Sequence, residues 1–432
     1  MFVVLTILLT GTILLTHYAT ADSGNNNYNE TNHDPHCDVT VNGENPANNA
    51  IQTAINHASS GNTICLTAAV YPENIVINQP LTLEGVGYNI NSSNSHDSGN
   101  ISTLKPTTLV TQTSDVDSSN PLDPIILVEN GATGVTIKNL EVDGSAIGSK
   151  LTDCGDSSNP EPIGIMFQSS SGTIDDVITL DVESDQALFG CQTDAGLGIF
   201  IQAATGHNSN VLINDSNVTN YQKNGITCND AGTTCVISRD VVVGAGQTTL
   251  TAQNGIQIAF GATGTVKNSQ ISGDSYIGTS SCPDENYFVP NCYQATGVLL
   301  YDAPGVVASG NQVSLSDIGI AALGFGDLHG SNDSTSENTL LKNYGYGVVF
   351  DSFNGTSQSN SLKNNPVGLL VTDDFANANV TSINDQFLNN LVNSEALGAP
   401  GSTWFADLVV ETSGHHEHMS YDLHYTPHFH AR

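Results

Sequence analysis

One feature constrains the fold more than any other: a glycine followed by an aliphatic residue that keeps returning along the chain. It occurs as Ile163-Gly164-Ile165, Leu197-Gly198-Ile199, Asn224-Gly225-Ile226 and Asn254-Gly255-Ile256, then as Thr296-Gly297-Val298, Ile318-Gly319-Ile320, Tyr346-Gly347-Val348 and Val367-Gly368-Leu369. The spacing runs from 21 residues (Gly347 to Gly368) to 42 (Gly255 to Gly297). A period in this range marks a solenoid, whose units bury their apolar face only against their neighbours. The shortest steps suit one turn of three short strands, and the longer ones suit a turn plus a loop. Alternating segments such as Val135-Thr136-Ile137-Lys138-Asn139-Leu140 and Thr265-Val266-Lys267-Asn268 supply strands between the glycines. Asn139, Asn214, Asn268 and Asn343 fall where the chain must bend, and Asn tolerates left-handed backbone and forms amide ladders. The fold class expected is all-β, a single-stranded right-handed parallel β-helix. A propeller or sandwich would need more regular lengths and hairpin turns.

The open end of such a stack needs a cover. Residues 51–58 carry apolar residues at helical spacing, with Asn48 or Asn49 available as a cap, and predict a short N-terminal capping helix. Strand-like runs follow at 63–66, 74–77 and 81–85, and the polar stretch 86–124 reads as an excursion between early coils.

The organisation expected is a signal peptide over 1–21, a flexible leader over 22–36, a β-helix over 37–400 and a C-terminal segment with a His-rich tail over 401–432. Val3 to Leu15 is apolar and Ala19-Thr20-Ala21 is a small-x-small cleavage site, although the first residues lack Lys and Arg. No later run is long enough to span a bilayer, so the mature protein is expected to have no transmembrane span. Export fits eight cysteines without a Cys-x-x-Cys pair. Of the 105 connectivities possible, sequence neighbours favour Cys37 with Cys65, Cys154 with Cys191, Cys228 with Cys235 and Cys282 with Cys292. Eight Asn-x-Ser/Thr sequons, at Asn29, Asn91, Asn100, Asn214, Asn217, Asn332, Asn354 and Asn379, become surface glycosylation sites only in a host that glycosylates.

The net charge of -34 comes from scarce bases, 9 Lys and Arg against 43 Asp and Glu. Such a chain cannot neutralise phosphates, which excludes nucleic acid as a partner. It would also repel polyanionic glycans unless a divalent cation bridges them.

Residues 51–87 resemble the first coil of the pectin lyase-like superfamily. The resemblance rests on Ala69-Val70-Tyr71-Pro72-Glu73-Asn74, where Ala69 replaces a Gly, and on Gly85-Val86-Gly87. Pectin methylesterases and a periplasmic copper-binding β-helix family share this opening, so it implies fold and not activity. Tyr221 to Tyr276, with NGITCNDAGTTC and AQNGIQIAFGATGTV, looks like secreted bacterial and archaeal β-helix proteins without assigned chemistry. The resemblance extends over roughly Cys37 to Asn390.

Measured against the superfamily's enzymes, the motifs are fragmentary. The run 186–190 only echoes a methylesterase motif, and Gln192-Thr193-Asp194 lacks the Asn of the polygalacturonase triplet. Asp327-Leu328-His329-Gly330 carries a His-Gly and Asp373-Asp374 a carboxylate pair, in reversed order. Carboxylates on neighbouring coils could act as acid and base on a glycosidic bond, which makes Asp327, His329, Asp373 and Asp374 catalytic candidates. A Ca²⁺-assisted lyase needs a basic residue, for which Arg239 is the candidate, although beside Asp240 it also reads as a surface ion pair. The tail holds His415, His416, His418, His424, His428 and His430, candidates for Cu²⁺ or Zn²⁺; a solvated, pH-dependent end is the plainer reading. Asp115-Val116-Asp117 and Asp153-Cys154-Gly155-Asp156 are Ca²⁺ candidates.

The expected function is a secreted or cell-surface protein that binds a polysaccharide or glycosylated surface component, or supports an envelope, without catalysis. The alternatives are a polysaccharide hydrolase or Ca²⁺-assisted lyase, and metal binding by the tail.

Overall fold

The structure, a computed structural model, describes residues 37–43, 49–86, 101–147, 160–183, 196–204, 206–278, 281, 293–324, 332–398, 406–412 and 415–421. The expected signal peptide and leader lie outside them. No helix among the described residues is long and apolar enough to cross a membrane.

The chain is a right-handed parallel β-helix. Each full coil places one strand in a front sheet and two in a larger back sheet. Among the described residues these sheets have 12 and 23 strands. One coil, for example, runs Asn224–Asn229 (front), Thr233–Ser238 and Val241–Thr248 (back), before Asn254–Ala259 returns to the front. Inward-facing aliphatics stack in register. Ile165, Ile199, Ile226, Ile256, Val298, Ile320, Val348 and Leu369 form one fully buried column.

The recurring glycine precedes this column by one residue, and its reason is steric. A Cβ on Gly255 would collide with Ile271 Cγ2 from the back sheet and lie 2.7 Å from the Gly297 carbonyl. On Gly347 it would lie 2.6 Å from the Gly368 carbonyl and 3.0 Å from Leu362. The coil is pinched at this point, and only hydrogen fits.

The turn between the two back-sheet strands repeats as a pair of residues. The first is left-handed in coil after coil: Asn139, Asp176, Asp215, Arg239, Asn268, Glu337, Ser359 and Asn384 have φ between 51 and 62°. The second accepts, on its side chain, the main-chain N–H of the coil before. Val177 donates to Ser216 Oγ, Ser216 to Asp240 Oδ1, Asp240 to Ser269 Oγ and Ser269 to Asn311 Oδ1. The ladder continues from Asn311 to Asn338, from Asn338 to Asn360 and from Asn360 to Asp385, at 2.8–3.0 Å. A second ladder runs through Ser316, Asn343, Asn365 and Asn390. Asn therefore fills two separate roles. Asn139 and Asn268 are left-handed, whereas Asn343 is a ladder rung preceded by left-handed Lys342.

The helix forms over Ala50–His57 and buries Ile51 and Ile55. Asn49 occupies the N-cap with left-handed backbone, but its side chain does not cap. Glu73 does so instead, accepting from the N–H groups of Ile51 and Gln52 at 2.9 and 3.0 Å. The other residues of the opening motif are equally structural. Tyr71 Oη donates to the Val41 and Thr67 carbonyls, and Asn74 Nδ2 to Asp123 Oδ1.

The stretch read as an excursion is partly ordered into the sheets. Ser102–Leu104 joins the back sheet, Thr113–Ser114 pairs antiparallel with Pro121–Val128, and the latter belongs to the front sheet. Beyond residue 400, Ala406–Thr412 extends the back sheet and His415–Tyr421 folds back antiparallel upon it. Disulfides join Cys37 to Cys65 and Cys228 to Cys235. Cys154, Cys191, Cys282 and Cys292 lie outside the described residues.

Candidate functional site

The front strands end in a ledge that runs the length of the stack. Its register column is Gln168, Gln202, Asn229, Ala259, Tyr301, Leu323, Asp351 and Thr372. The next position is again left-handed at Ser169, Asp230, Phe260, Asp302 and Ser352, which turns the chain sharply toward the back sheet; in the column Gln168, Asn229, Tyr301 and Leu323 are half-buried and Gln202, Ala259, Asp351 and Thr372 are buried.

The early coils make the ledge an amide and carboxylate network. Thr113 Oγ1 donates to Gln168 Oε1 at 2.5 Å, and Gln168 Nε2 donates to the Ser114 carbonyl at 2.8 Å. Gln202, 1% exposed, donates from Nε2 to Asp115 Oδ2 and to Asp230 Oδ2, and its Oε1 accepts from Val116 N–H. Burial pushes Asp230 up to about 7, and the nearby acids Asp117 and Asp115 add to that rise. Beside the network lies a cleft of about 690 Å³ lined by Thr113, Ser114, Val116, Glu129, Gln168 and His207.

The middle of the ledge is aromatic. Phe260 is 49% exposed and has φ 57°, a conformation that bulky residues rarely adopt. Its ring meets Tyr301 edge-on, with centroids 5.5 Å apart. An exposed apolar ring held against such strain, of order 1–3 kcal/mol, is a feature that clusters at functional sites.

Three coils further on, roughly 14 Å along the axis at one strand spacing per coil, the ledge becomes acidic. Asp351 Oδ1 accepts from Ser352 Oγ at 2.8 Å and from the Asp374 N–H at 3.1 Å. Phe375 N–H donates to Ser352 Oγ at 2.7 Å, leaving the Phe375 ring 48% exposed. Burial raises Asp351 to about 6 and Asp374 to about 8, and the neighbouring acids reinforce both shifts. Both carboxyls therefore hold their protons to higher pH than an exposed acid would, Asp374 more strongly than Asp351.

Of the sequence candidates, the structure brings Asp373 and Asp374 to Asp351, which sequence reasoning missed. Asp327 and His329 lie outside the described residues, as do residues 184–195 and 153–156. Arg239 is a left-handed turn residue on the back sheet, its guanidinium held by Asp215 at 2.6 and 2.7 Å. Asp115 and Asp117 sit on the ledge. His415, His416 and His418 fall on the last strand, and His424, His428 and His430 lie outside the described residues. Among the described residues no three His, Cys, Asp or Glu side chains converge as metal ligands.

No Lys or Arg occupies the ledge column or the left-handed position after it. Lys105 pairs with Asp143 and Lys138 with Glu84 on the back sheet, and Lys223 donates to the Ala252 carbonyl.

A sequence profile for a right handed beta helix region matches residues 198–387, in agreement with the right-handed parallel β-helix that the sheets form. No curated protein matches it in sequence. The A-module of a mannuronan C-5 epimerase from Azotobacter vinelandii is 14% identical, with a TM-score of 0.45 over 84% of this chain and 97% of that one. A lacto-N-biosidase from Eubacterium ramulus is 12% identical, with a TM-score of 0.44 over 80% and 63%. A surface adhesin of Streptococcus pneumoniae is 12% identical, with a TM-score of 0.46 over 86% and 88%. Likeness at this level concerns the fold alone.

Proposed function

We propose that this is an extracellular or cell-surface protein that binds a polysaccharide, or a glycosylated surface component, along the front ledge. The observation that carries this reading is the exposed, left-handed Phe260 against Tyr301, with Phe375 four coils on from Phe260 and carboxyl and amide groups between and beside them. Aromatic faces stack on the C–H face of sugar rings, and amides and carboxyls accept and donate to hydroxyls. With no Lys or Arg in the ledge column or at the position after it, the preferred ligand is uncharged. An acidic polymer would need a bridging divalent cation such as Ca²⁺. Disulfides fit an oxidising compartment.

The test is a panel of neutral and acidic polysaccharides presented to the secreted, oxidised protein, with and without Ca²⁺, reading both retention and products. Retention on a neutral polymer without new reducing ends or unsaturated uronate supports binding. No retention on any polymer overturns it.

A second reading, a polysaccharide hydrolase, is favoured by Asp374, whose main chain meets Asp351 and whose burial there raises it to about 8, keeping an acid available near neutrality. New reducing ends that vanish in Asp351→Asn would establish it in place of simple binding. Metal binding by the tail is a separate proposal: removing residues 415–432 should abolish high-affinity Cu²⁺ or Zn²⁺ uptake, and unchanged uptake would refute it.

A further inference from the structure

Three of the sequons are not scattered. Asn332 pairs in register with Asn354, and Asn354 with Asn379, so that three consecutive coils place an Asn-x-Ser/Thr at one position of the back sheet. Their hydroxyl residues stack as well, Ser334 on Thr356 on Thr381. The alternation of a strand sets Asn and the hydroxyl residue on one face and the middle residue on the other. Here the middle residue faces the core, with Asp333 1% and Val380 3% exposed, while Asn379 is exposed and Asn354 half-buried.

We propose that this column is a site of N-linked glycosylation in which Asn379 carries the glycan and its neighbour Asn354 stays unmodified. Asn379 donates from both its main-chain N–H and its Nδ2 to Asn354 Oδ1, at 3.0 and 2.9 Å. A primary amide has two Nδ2 hydrogens, and the ladder uses one. Replacing the other with a sugar keeps the ladder intact. The reaction joins Asn379 Nδ2 to the anomeric carbon of an oligosaccharide carried on a polyprenyl pyrophosphate. The anomeric C–O bond breaks, the lipid pyrophosphate leaves, and Nδ2 loses one proton, with no change of oxidation state.

Adjacent rungs exclude one another because strands lie about 4.8 Å apart, too close for two branched glycans to stand side by side. Asn214 contrasts with this column. Its Nδ2 donates to Asp175 and Asp215 at 2.7 and 2.8 Å, which engages both hydrogens.

The experiment is secretion of the full chain from a host with an oligosaccharyltransferase, followed by intact-mass analysis and glycopeptide mapping. The expected result is a glycan on Asn379, absent from Asn354 in the same molecules. Thr381→Ala removes the acceptor hydroxyl without touching the amide ladder. It should abolish the Asn379 glycan while leaving the melting temperature of enzymatically deglycosylated protein unchanged. Secreted protein unmodified at Asn379, or molecules carrying glycans on both Asn354 and Asn379, would overturn the proposal.

Discussion

Asp351 accepts a hydrogen bond from the main-chain amide of Asp374, 3.1 Å away and one coil further on. The contact draws two acids together at a site where burial already penalises charge. Similar burial acts elsewhere, raising Asp123, Asp240 and Asp333 each to about 7. Each of these folded-state values lies above the unfolded one. The stability they confer is therefore complete below the ordinary carboxylate range and is lost as pH rises through the folded values.

Denaturant midpoints measured from about pH 4 to about pH 9 should accordingly fall as pH rises, most steeply between roughly 5 and 7, and level off above roughly 8. Asp374→Asn should flatten the upper part of that fall. A midpoint that rises over the same range would contradict the assignment.

The turn ladder should be costly to interrupt. Asn338 accepts from Asn311 and donates to the Ala308 carbonyl and Asn360 Oδ1. Asn338→Ala strands the buried Asn311 amide and should cost about 1–3 kcal/mol for each unsatisfied group. Equilibrium unfolding provides the measurement, and a change indistinguishable from zero would show that the ladder is dispensable.

Gly255→Ala tests the pinch. A methyl group has no room between Ile271 and the Gly297 carbonyl, and overpacking of this kind costs about 1–3 kcal/mol. Gly131→Ala is the control. It is open to solvent but has φ 72°, so it suffers backbone strain alone. Equal losses would mean that crowding is not what selects glycine at 255.

The Cys228–Cys235 bridge fastens a front strand to the back strand that follows it, with both sulfurs fully buried. It closes a short loop, so Cys228→Ala with Cys235→Ala should cost on the order of 2 kcal/mol, less than a long-loop bridge would. A thermal-melt comparison of the oxidised wild type and the double variant checks this.

The solenoid was legible because its demand falls on one residue per coil. Wherever the coil is pinched a glycine must appear, however long the intervening loop. The Glu73 cap was not legible, because the carboxylate reaches a helix 21 residues upstream through the fold. The ledge was hidden for a related reason. Asp115, Gln202 and Asp230 meet only after loops of unequal length bring their coils into register. One signal would have found it: Gln168, Gln202, Asn229, Tyr301, Asp351 and Thr372 each stand four positions after the recurring glycine. Aligned on that glycine, the chain displays this column directly. Arg239 reads in the sequence both as a candidate base and as a surface ion pair, and the structure places it in a left-handed turn, paired with Asp215.

The proposed function requires carbohydrate binding along the aromatic and acidic ledge. Its most direct test is calorimetric titration of neutral oligosaccharides of increasing length, drawn from whichever polymer retains the protein. The titrations would be run on the wild type, Phe260→Ala and Phe375→Ala. Affinity should grow with length until the ligand spans both aromatics and then level off. Each substitution should cost about tenfold or more in affinity, the scale of a lost aromatic anchor, with the fold unchanged by circular dichroism. Binding that is indifferent to both substitutions, or that shows no dependence on length, would place the ligand elsewhere and contradict the account.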